Sequence, residues 1–368
     1  MKSSRLRVVL LTRRLGLACL LVAAAAGLVL SAADQPPRHG TVQRIKVHGK
    51  SLEGNLEGDS PDRDVSVYLP PGYKSHPEQR YPVLYLLHGY MDNDINWFGA
   101  KHVFVDAPTA LDRAFSSGAV RDMIVVMPSA YTIYFGSMYS NSVTTGDWET
   151  FITSDLVSYI DAHYRTIPRR MSRGLAGHSM GGYGTIRLGM KFPDVFSSIY
   201  VMSACCLAPG LSTETPAMAN AEKVASPADL VKKEFADFGT HAMVASAAAW
   251  SPNPKNPPLF FDLPWLDGKF QPQIAQKWDA NAPLAMLDQY VPNLRKLHAI
   301  AGDVGTKDTL MASNQELDRA LTAYGIPHAF ETYDGNHISG IQDRLEKNVM
   351  PFLSRNLTFG GAGSSRRR

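Results

Sequence analysis

The chain has 368 residues, with 37 basic and 34 acidic side chains and a net charge of +3. An apolar content of 45% and a charged content of 19% are globular values and exclude a disordered chain. The length allows one large domain or two ordinary ones.

The first 33 residues read as an export signal. Lys2, Arg5, Arg7, Arg13 and Arg14 precede the apolar run "LGLACLLVAAAAGLVL", which ends in Ser31-Ala32-Ala33, so cleavage is expected before Asp34. Left uncleaved, the same run is long enough to anchor in a bilayer. "TRRLGL" has the look of a twin-arginine signal but lacks the fuller pattern, which leaves the route open. A lipobox ending at Cys19 fits poorly, because Gly16 stands where leucine is usual. Losing five basic and no acidic residues takes the net charge to −2. The basicity thus belongs to the signal and the "SSRRR" tail, and nucleic-acid binding is excluded. The expected product is exported, periplasmic or extracellular, with no stable membrane association.

Beyond the signal, "TVQRIKVHGKSL" and "RDVSVYLPPGY" read as an antiparallel pair. "YPVLYLLHG" and "MIVVMP" are continuous apolar runs of strand length, the mark of strands buried on both faces. A helix is expected near 106–117 between them. "DWETFITSDLVSYIDAHY" places Phe151, Ile152, Leu156, Tyr159 and Ile160 on one helical face. "RGLAGH", "GGYGTIRLGMKF" and "FSSIYVMSA" follow as strand, helix, strand. Residues 207–293 then lose the alternation amid bursts of proline such as "SPNPKNPPLFFDLPW". "LRKLHAIAG", "TLMASNQELDRALTAYG", "HAFETYDG" and "IQDRLEKNVMPFLSRNL" restore it, and residues 358–368 are expected to be disordered.

This order specifies a mostly parallel α/β sheet covered by helices on both faces. Residues 207–293 are too long for a connection in a compact domain and read as an irregular lid or cap inserted above the sheet.

In "GLAGHSMGGYG" a serine stands between two glycines, after a strand and before a helix. A serine hydroxyl becomes a useful nucleophile when a base takes its proton and a third group orients the base. Glycines at 177 and 181 allow the strained turn that lifts Ser179 above the sheet. The base is read as His337, in the turn "YDGNHISG" after the last strand. His328 lies at the wrong end of that strand, and His178 cannot easily reach round to its neighbour's hydroxyl. For the acid, "AGDVGTKDTL" offers Asp303 and Asp308, both at the carboxyl edge of the sheet where open α/β folds place their sites. Composition does not separate them. The backbone N–H of Met180, just after the nucleophile, is one donor for a developing oxyanion.

The motifs "VLYLLHGYMDNDINW", "AGHSMGGYG", "GTKD" and "GIPHAFETYDGNH", in this order across residues 40–357, resemble an esterase group of α/β-hydrolases. That group includes feruloyl and acetylxylan esterases, esterase D or S-formylglutathione hydrolase, and the antigen 85 mycolyltransferases. The resemblance implies an α/β-hydrolase catalytic domain over 40–357, and the insertion falls outside the match to its compact members. It also implies that Asp308, in a G-T-x-D element, is the acid with Asp303 in reserve, and that the backbone N–H of Tyr90 is the second oxyanion donor.

Aromatic residues Trp97, Tyr131, Tyr134 and Tyr139 fall on loops at the expected site edge, where they would stack on a sugar or phenolic ring or pack beneath the lid. "DNDIN" fails as a calcium loop: counted from Asp92, the sixth and twelfth positions hold Trp97 and Val103 instead of glycine and glutamate. No zinc spacing exists, and no metal or cofactor is expected. The adjacent Cys205 and Cys206 leave open a strained vicinal disulfide or two packed thiols.

The expectation is an exported serine esterase acting through a Ser-His-Asp triad on a small-molecule or carbohydrate-linked ester. An acyltransferase of the mycolyltransferase type and a noncatalytic binding protein on the same fold remain as alternatives. Export disfavours the cytosolic S-formylglutathione as substrate.

Overall fold

A computed structural model of the chain describes residues 38–99, 105–210 and 213–360. The expected signal, residues 1–33, lies outside the described residues. Eight strands form the main sheet: β1 (Thr41–His48), β2 (Asp62–Leu69), β3 (Val83–Leu87), β4 (Ile124–Pro128), β5 (Arg173–His178), β6 (Ser198–Met202), β7 (Ala299–Gly305) and β8 (Ala329–Tyr333). Their spatial order is β1-β2-β4-β3-β5-β6-β7-β8. β1 and β2 pair antiparallel, as do β2 and β4, and every later pairing is parallel.

Continuous apolar strands arise because both faces of the sheet are covered. Val83, Tyr85 and Leu87 of β3 enter one core, and Leu84 and Leu86 enter the other. Ile124 and Val126 part from Val125 and Met127 in the same way, following the two-residue period of a strand. Burying each such side chain contributes roughly 1.5–3 kcal/mol.

Helices fill the two cores. A short α1 (Asp94–Phe98) and α2 (Ala107–Ser116) follow β3, and α3 spans 148–163 with a π-helical turn at Phe151–Asp155. α4 (Met180–Lys191) follows β5. On one face lie Phe151, Ile152, Leu156 and Ile160 of α3 with Tyr183, Ile186 and Leu188 of α4. Glu149 of α3 clamps the two together, accepting from Arg187 Nε at 2.7 Å and from Lys191. On the other face Ala110, Leu111 and Phe115 of α2 meet Leu345, Val349 and Leu353 of the closing helix.

The stretch 207–293 is more regular than its prolines suggest. It holds α5 (Pro216–Ala221), α6 (Phe238–Trp250), α7 (Pro272–Asp279), most of α8 (Pro283–Leu294), and a hairpin of Trp265–Leu266 with Lys269–Phe270. Prolines at the first helical turn start α5, α7 and α8, where a missing N–H costs nothing. α8 packs on α4, with Asn293 Nδ2 donating to the Met190 carbonyl at 2.9 Å, so the last part of the stretch belongs to the core. The rest is tied to the loop after β4: Tyr134 Oη donates to Leu259 O at 2.9 Å, Ser142 Oγ to Ala248 O at 2.6 Å and Thr144 Oγ1 to Phe260 O at 2.5 Å. α9 (Met311–Ala323) joins β7 to β8, and α10 (341–356) closes the fold with a π-helical turn at Leu345–Val349. Beyond it, Thr358 N–H donates to Met171 O at 2.8 Å and Phe359 stacks under Arg121, so order persists past the expected limit at 357. Residues 361–368 lie outside the described residues.

The glycines on either side of Ser179 are required by close approach. A Cβ on Gly181 would sit 2.1 Å from the Leu87 carbonyl oxygen, and one on Gly177 would sit 2.3 Å from the Gly181 oxygen. Both obstacles are backbone, so no side-chain rotation relieves them. Gly181→Ala is expected to lower folding stability by about 3 kcal/mol, read as a fall in the urea midpoint. A shift within about 0.5 kcal/mol would contradict the account of the turn.

Candidate active site

The parallel strands end at one edge, and their register aligns the segments that carry the site. Leu87 pairs with Gly177, His178 with Met202, Met202 with Asp303 and Gly305 with Tyr333. Ser179 follows β5 directly and holds φ 59°, ψ −115°, a strained conformation for a residue with a Cβ. The turn is sewn in place by Ser179 N–H to Met202 O at 3.0 Å and Tyr183 N–H to Ser179 O at 3.0 Å. Ser179 is left partly exposed.

Two further turns meet it. After β7, Thr306 N–H donates to Tyr333 O at 2.8 Å and Lys307 N–H to Gly335 O at 2.9 Å, which stitches residues 306–308 to the turn after β8. Asn336 Oδ1 accepts from the N–H groups of Ile338 and Ser339 at 3.1 and 3.0 Å, shaping the turn that presents His337. The result is a chain of two bonds: His337 Nδ1 lies 2.9 Å from Asp308 Oδ2, and His337 Nε2 lies 2.9 Å from Ser179 Oγ. A carboxylate only accepts, so Nδ1 carries the proton and Nε2 is free to accept from the serine hydroxyl. The Asp308 carboxyl is fully buried, and its other oxygen accepts from Leu310 N–H at 2.9 Å.

Asp303 is held elsewhere. Its Oδ2 accepts from Tyr200 Oη at 2.7 Å and from Arg344 Nε and Nη2 at 2.9 and 2.7 Å. Burial raises its pKa, against the pull of the Arg344 charge. It is a buried ion-pair partner of α10, and the structure brings Asp308, not Asp303, to His337.

The loop after β3 runs beside the serine, since a Cβ on Gly89 would touch Ser179 Cβ at 3.4 Å. His88, fully buried, fixes it: Nδ1–H donates to Gly89 O at 2.8 Å, and Nε2 accepts from Ala130 N–H at 2.8 Å. Burial lowers the His88 pKa, in keeping with the neutral ring these bonds require. Met91 N–H donates to Phe135 O at 3.1 Å and Tyr90 Oη to Tyr134 O at 3.0 Å. Met180 is the first residue of α4, where no preceding turn of helix can use its N–H.

Three of the four expected stacking aromatics are in the interior instead. Trp97 is 1% exposed and donates Nε1–H to Asp92 Oδ2 at 2.6 Å. Tyr139 is 0% exposed and donates to the His88 carbonyl at 3.1 Å, and Tyr134 is 0% exposed and reaches Leu259. Each hydroxyl or indole N–H has an internal acceptor, so these side chains brace the loops and present no face to a ligand. Tyr131 is partly exposed and packs edge-on against Phe135 at 5.7 Å. Exposed apolar side chains adjoin the site instead: Met91 beside Tyr90, Ile338 beside His337, and Phe238, whose ring meets that of Tyr90 edge-on at 5.6 Å. A cavity of about 420 Å³ within the inserted stretch, lined by Leu259, Phe261 and Leu263 among others, includes none of these site residues.

His178 has a role the sequence reading passed over. It cannot serve the neighbouring hydroxyl, yet its Nε2–H donates to the His337 carbonyl at 2.8 Å and its ring lies 4.7 Å from that of His337. Burial, then the nearby His337, lowers its pKa to about 4. The unfolded chain takes up this proton near pH 6.5, so between pH 6.5 and 4 the unfolded state binds more protons and stability falls on acidification. His178→Gln keeps a donor and removes the titration. It is expected to flatten that acid loss by on the order of 3 kcal/mol, read from urea unfolding across the window. Superimposable wild-type and variant pH curves would contradict this.

The chain is similar in sequence and in fold to known esterases. The feruloyl-esterase-bearing xylanase of Xylanibacter ruminicola is 31% identical over 163 residues, covering 43% of this chain and 21% of that protein. An esterase of Mycobacterium tuberculosis is 26% identical over 290 residues, covering 74% of this chain and 52% of that protein. The chain thus spans about a fifth and about half the length of these two relatives. An acetyl esterase of Caldicellulosiruptor saccharolyticus is 22% identical over 321 residues, covering 85% of this chain and 98% of that protein. Among solved structures, a ferulic acid esterase superposes with a TM-score of 0.62 at 24% identity, over 87% of this chain and 99% of that one. The S-formylglutathione hydrolase of Staphylococcus aureus gives 0.55 at 17% identity, over 87% and 100%. These likenesses establish the α/β-hydrolase fold. Residues 60–341 match the family described as "Putative esterase", a span that runs from before β2 into α10 and includes Ser179, Asp308 and His337. The chain belongs to this esterase family.

Proposed function

We propose that the chain is an exported serine carboxylesterase that hydrolyses acyl esters of sugars or related small alcohols through an acyl-enzyme. The observation that carries this reading is the pair of 2.9 Å bonds linking Asp308, His337 and Ser179. Ser179 Oγ attacks the acyl carbon while His337 Nε2 takes its proton, and Asp308 holds the ring and stabilises the imidazolium. The backbone N–H groups of Met180 and Tyr90 receive the oxyanion. Collapse breaks the ester bond as His337 returns the proton to the leaving alcohol. Water then repeats the sequence and frees the acid. No cofactor enters.

The rim residues Met91, Tyr131, Phe238 and Ile338 suit an apolar or aromatic acyl group. The relatives named feruloyl esterase and acetyl esterase support feruloyl, acetyl or other acyl esters of sugars as the substrate class. Export, to a periplasm or the exterior, rests on residues 1–33; among the described residues no helix is long and apolar enough to cross a membrane. The test is hydrolysis of p-nitrophenyl acetate, butyrate and octanoate and of methyl ferulate by the folded mature chain. Turnover of at least one ester is expected. Failure on all four would overturn the reading in favour of transfer to an unsupplied acceptor or of a binding protein.

A further inference from the structure

Cys205 and Cys206 follow β6 in a turn laid against the nucleophile. Both residues are partly exposed and carry free thiols, with their sulfurs 2.8 Å apart. The backbone around them is unusual, with Ser203 at φ 42° and Cys206 at φ 60°, values that side-chain-bearing residues seldom adopt. The turn is held on three sides. Ser203 N–H donates to Asp303 O at 2.8 Å. Ala204 exchanges two bonds with the Asn314 amide of α9, at 3.0 and 2.9 Å. Cys205 N–H donates to the Ser179 carbonyl at 3.2 Å. Strain kept at a site by so many anchors is a pointer to use, and adjacent thiols in such a frame have already met most of the ordering cost of joining.

We propose that Cys205 and Cys206 form a redox-active dithiol that closes to a vicinal disulfide by exchange with a small-molecule disulfide, and that closure slows ester hydrolysis; this second effect rests on the function proposed above. The neighbouring sulfur and burial push the Cys205 thiol pKa up, and either thiol can open the exchange. One cysteine thiolate attacks one sulfur of the oxidant, forming a mixed disulfide and releasing the first thiolate. The other cysteine then gives up its proton and attacks the protein sulfur of that mixed disulfide, expelling the second thiolate. Two protein thiols are oxidised, one disulfide is reduced to two thiols, and the electrons balance. The eight-membered ring constrains the 205–206 peptide and thereby the bond from Cys205 N–H to the Ser179 carbonyl.

The experiment treats the reduced chain with oxidised glutathione, alkylates the remaining thiols, and weighs the tryptic peptide 192–223, which contains both cysteines and excludes Cys19. The expected peptide carries neither alkyl group nor glutathione and is lighter by two hydrogens. Cys205→Ser and Cys206→Ser, having one thiol each in this peptide, stop at the glutathione adduct. A wild-type peptide that keeps glutathione, or in which both thiols stay open to alkylation, overturns the proposal. In parallel, p-nitrophenyl acetate turnover by the wild type falls severalfold on oxidation and recovers with dithiothreitol, and a Cys205→Ala/Cys206→Ala double variant does not respond. An unchanged rate in the closed wild type, or an equal response in the double variant, overturns the coupling. Failure of the esterase reading is distinct: the reduced wild type then shows no turnover while the mass result still stands.

Discussion

Ser179→Ala is expected to lower kcat for any ester the chain hydrolyses by roughly 10⁴- to 10⁶-fold, with folding stability unchanged within about 0.5 kcal/mol. In the proposed mechanism the hydroxyl forms the acyl bond, and neither the aligned histidine nor the oxyanion donors can replace it. Alanine retains the Cβ, so the strained turn at φ 59° and its bonds to Met202 and Tyr183 persist. Some acceleration over water survives, because N–H groups aimed at the oxyanion act on any nucleophile that reaches the carbonyl. Steady-state hydrolysis and a urea titration of the same preparation check both halves. Retention of more than a tenth of the wild-type rate would remove Ser179 from the chemistry.

The second large effect separates two aspartates that lie five positions apart. Asp308→Asn is expected to lower kcat by roughly 10⁴-fold with the fold intact. The new amide can donate to His337 Nδ1, which drives the ring proton to Nε2 and leaves no lone pair facing Ser179. The bond from Leu310 N–H to the remaining oxygen is kept, so stability should hold. Asp303→Asn does the reverse. It removes the charge that Arg344 meets in a buried setting, which costs about 3 kcal/mol, and spares kcat of the folded fraction. If Asp303→Asn instead lost the activity and Asp308→Asn kept it, the assignment of the acid would be wrong.

The reasons these two residues look alike in sequence are physical. Both follow apolar β7 residues and both reach the carboxyl edge. What parts them is register: Asp303 lies within β7, opposite Met202 and Glu331, and its side chain turns to Tyr200 and Arg344. Asp308 comes three residues beyond the strand, in the turn sewn to Gly335. Spacing in one chain does not reveal that difference, and only the resemblance pointed to residue 308. The placement of Ser179 and His337 at one edge was legible because each follows the carboxyl end of a parallel strand, and the glycines around the serine announce a turn that side chains would block. The main sheet was legible for a related reason, since strands covered on both faces are apolar at every position.

The aromatic loops misled because a tyrosine-rich segment reads identically whether it faces inward or outward. Tyr134, Tyr139 and Trp97 turned inward once backbone or carboxylate acceptors were in reach of their polar tips. The inserted stretch misled through its prolines, which signal broken structure in a helix interior and a helix start at the first turn. His178 was judged only against the serine beside it, and its bond to the His337 carbonyl spans 159 positions of sequence.

In the proposed mechanism Ser179 is activated by His337. The most direct measurement is reaction of the folded chain with a fluorophosphonate, followed by peptide mass analysis of the labelled site in the wild type and in His337→Gln. One label is expected, on the peptide containing Ser179, and it forms far more slowly in the variant. A label on another residue, or equal rates in the two proteins, would contradict it.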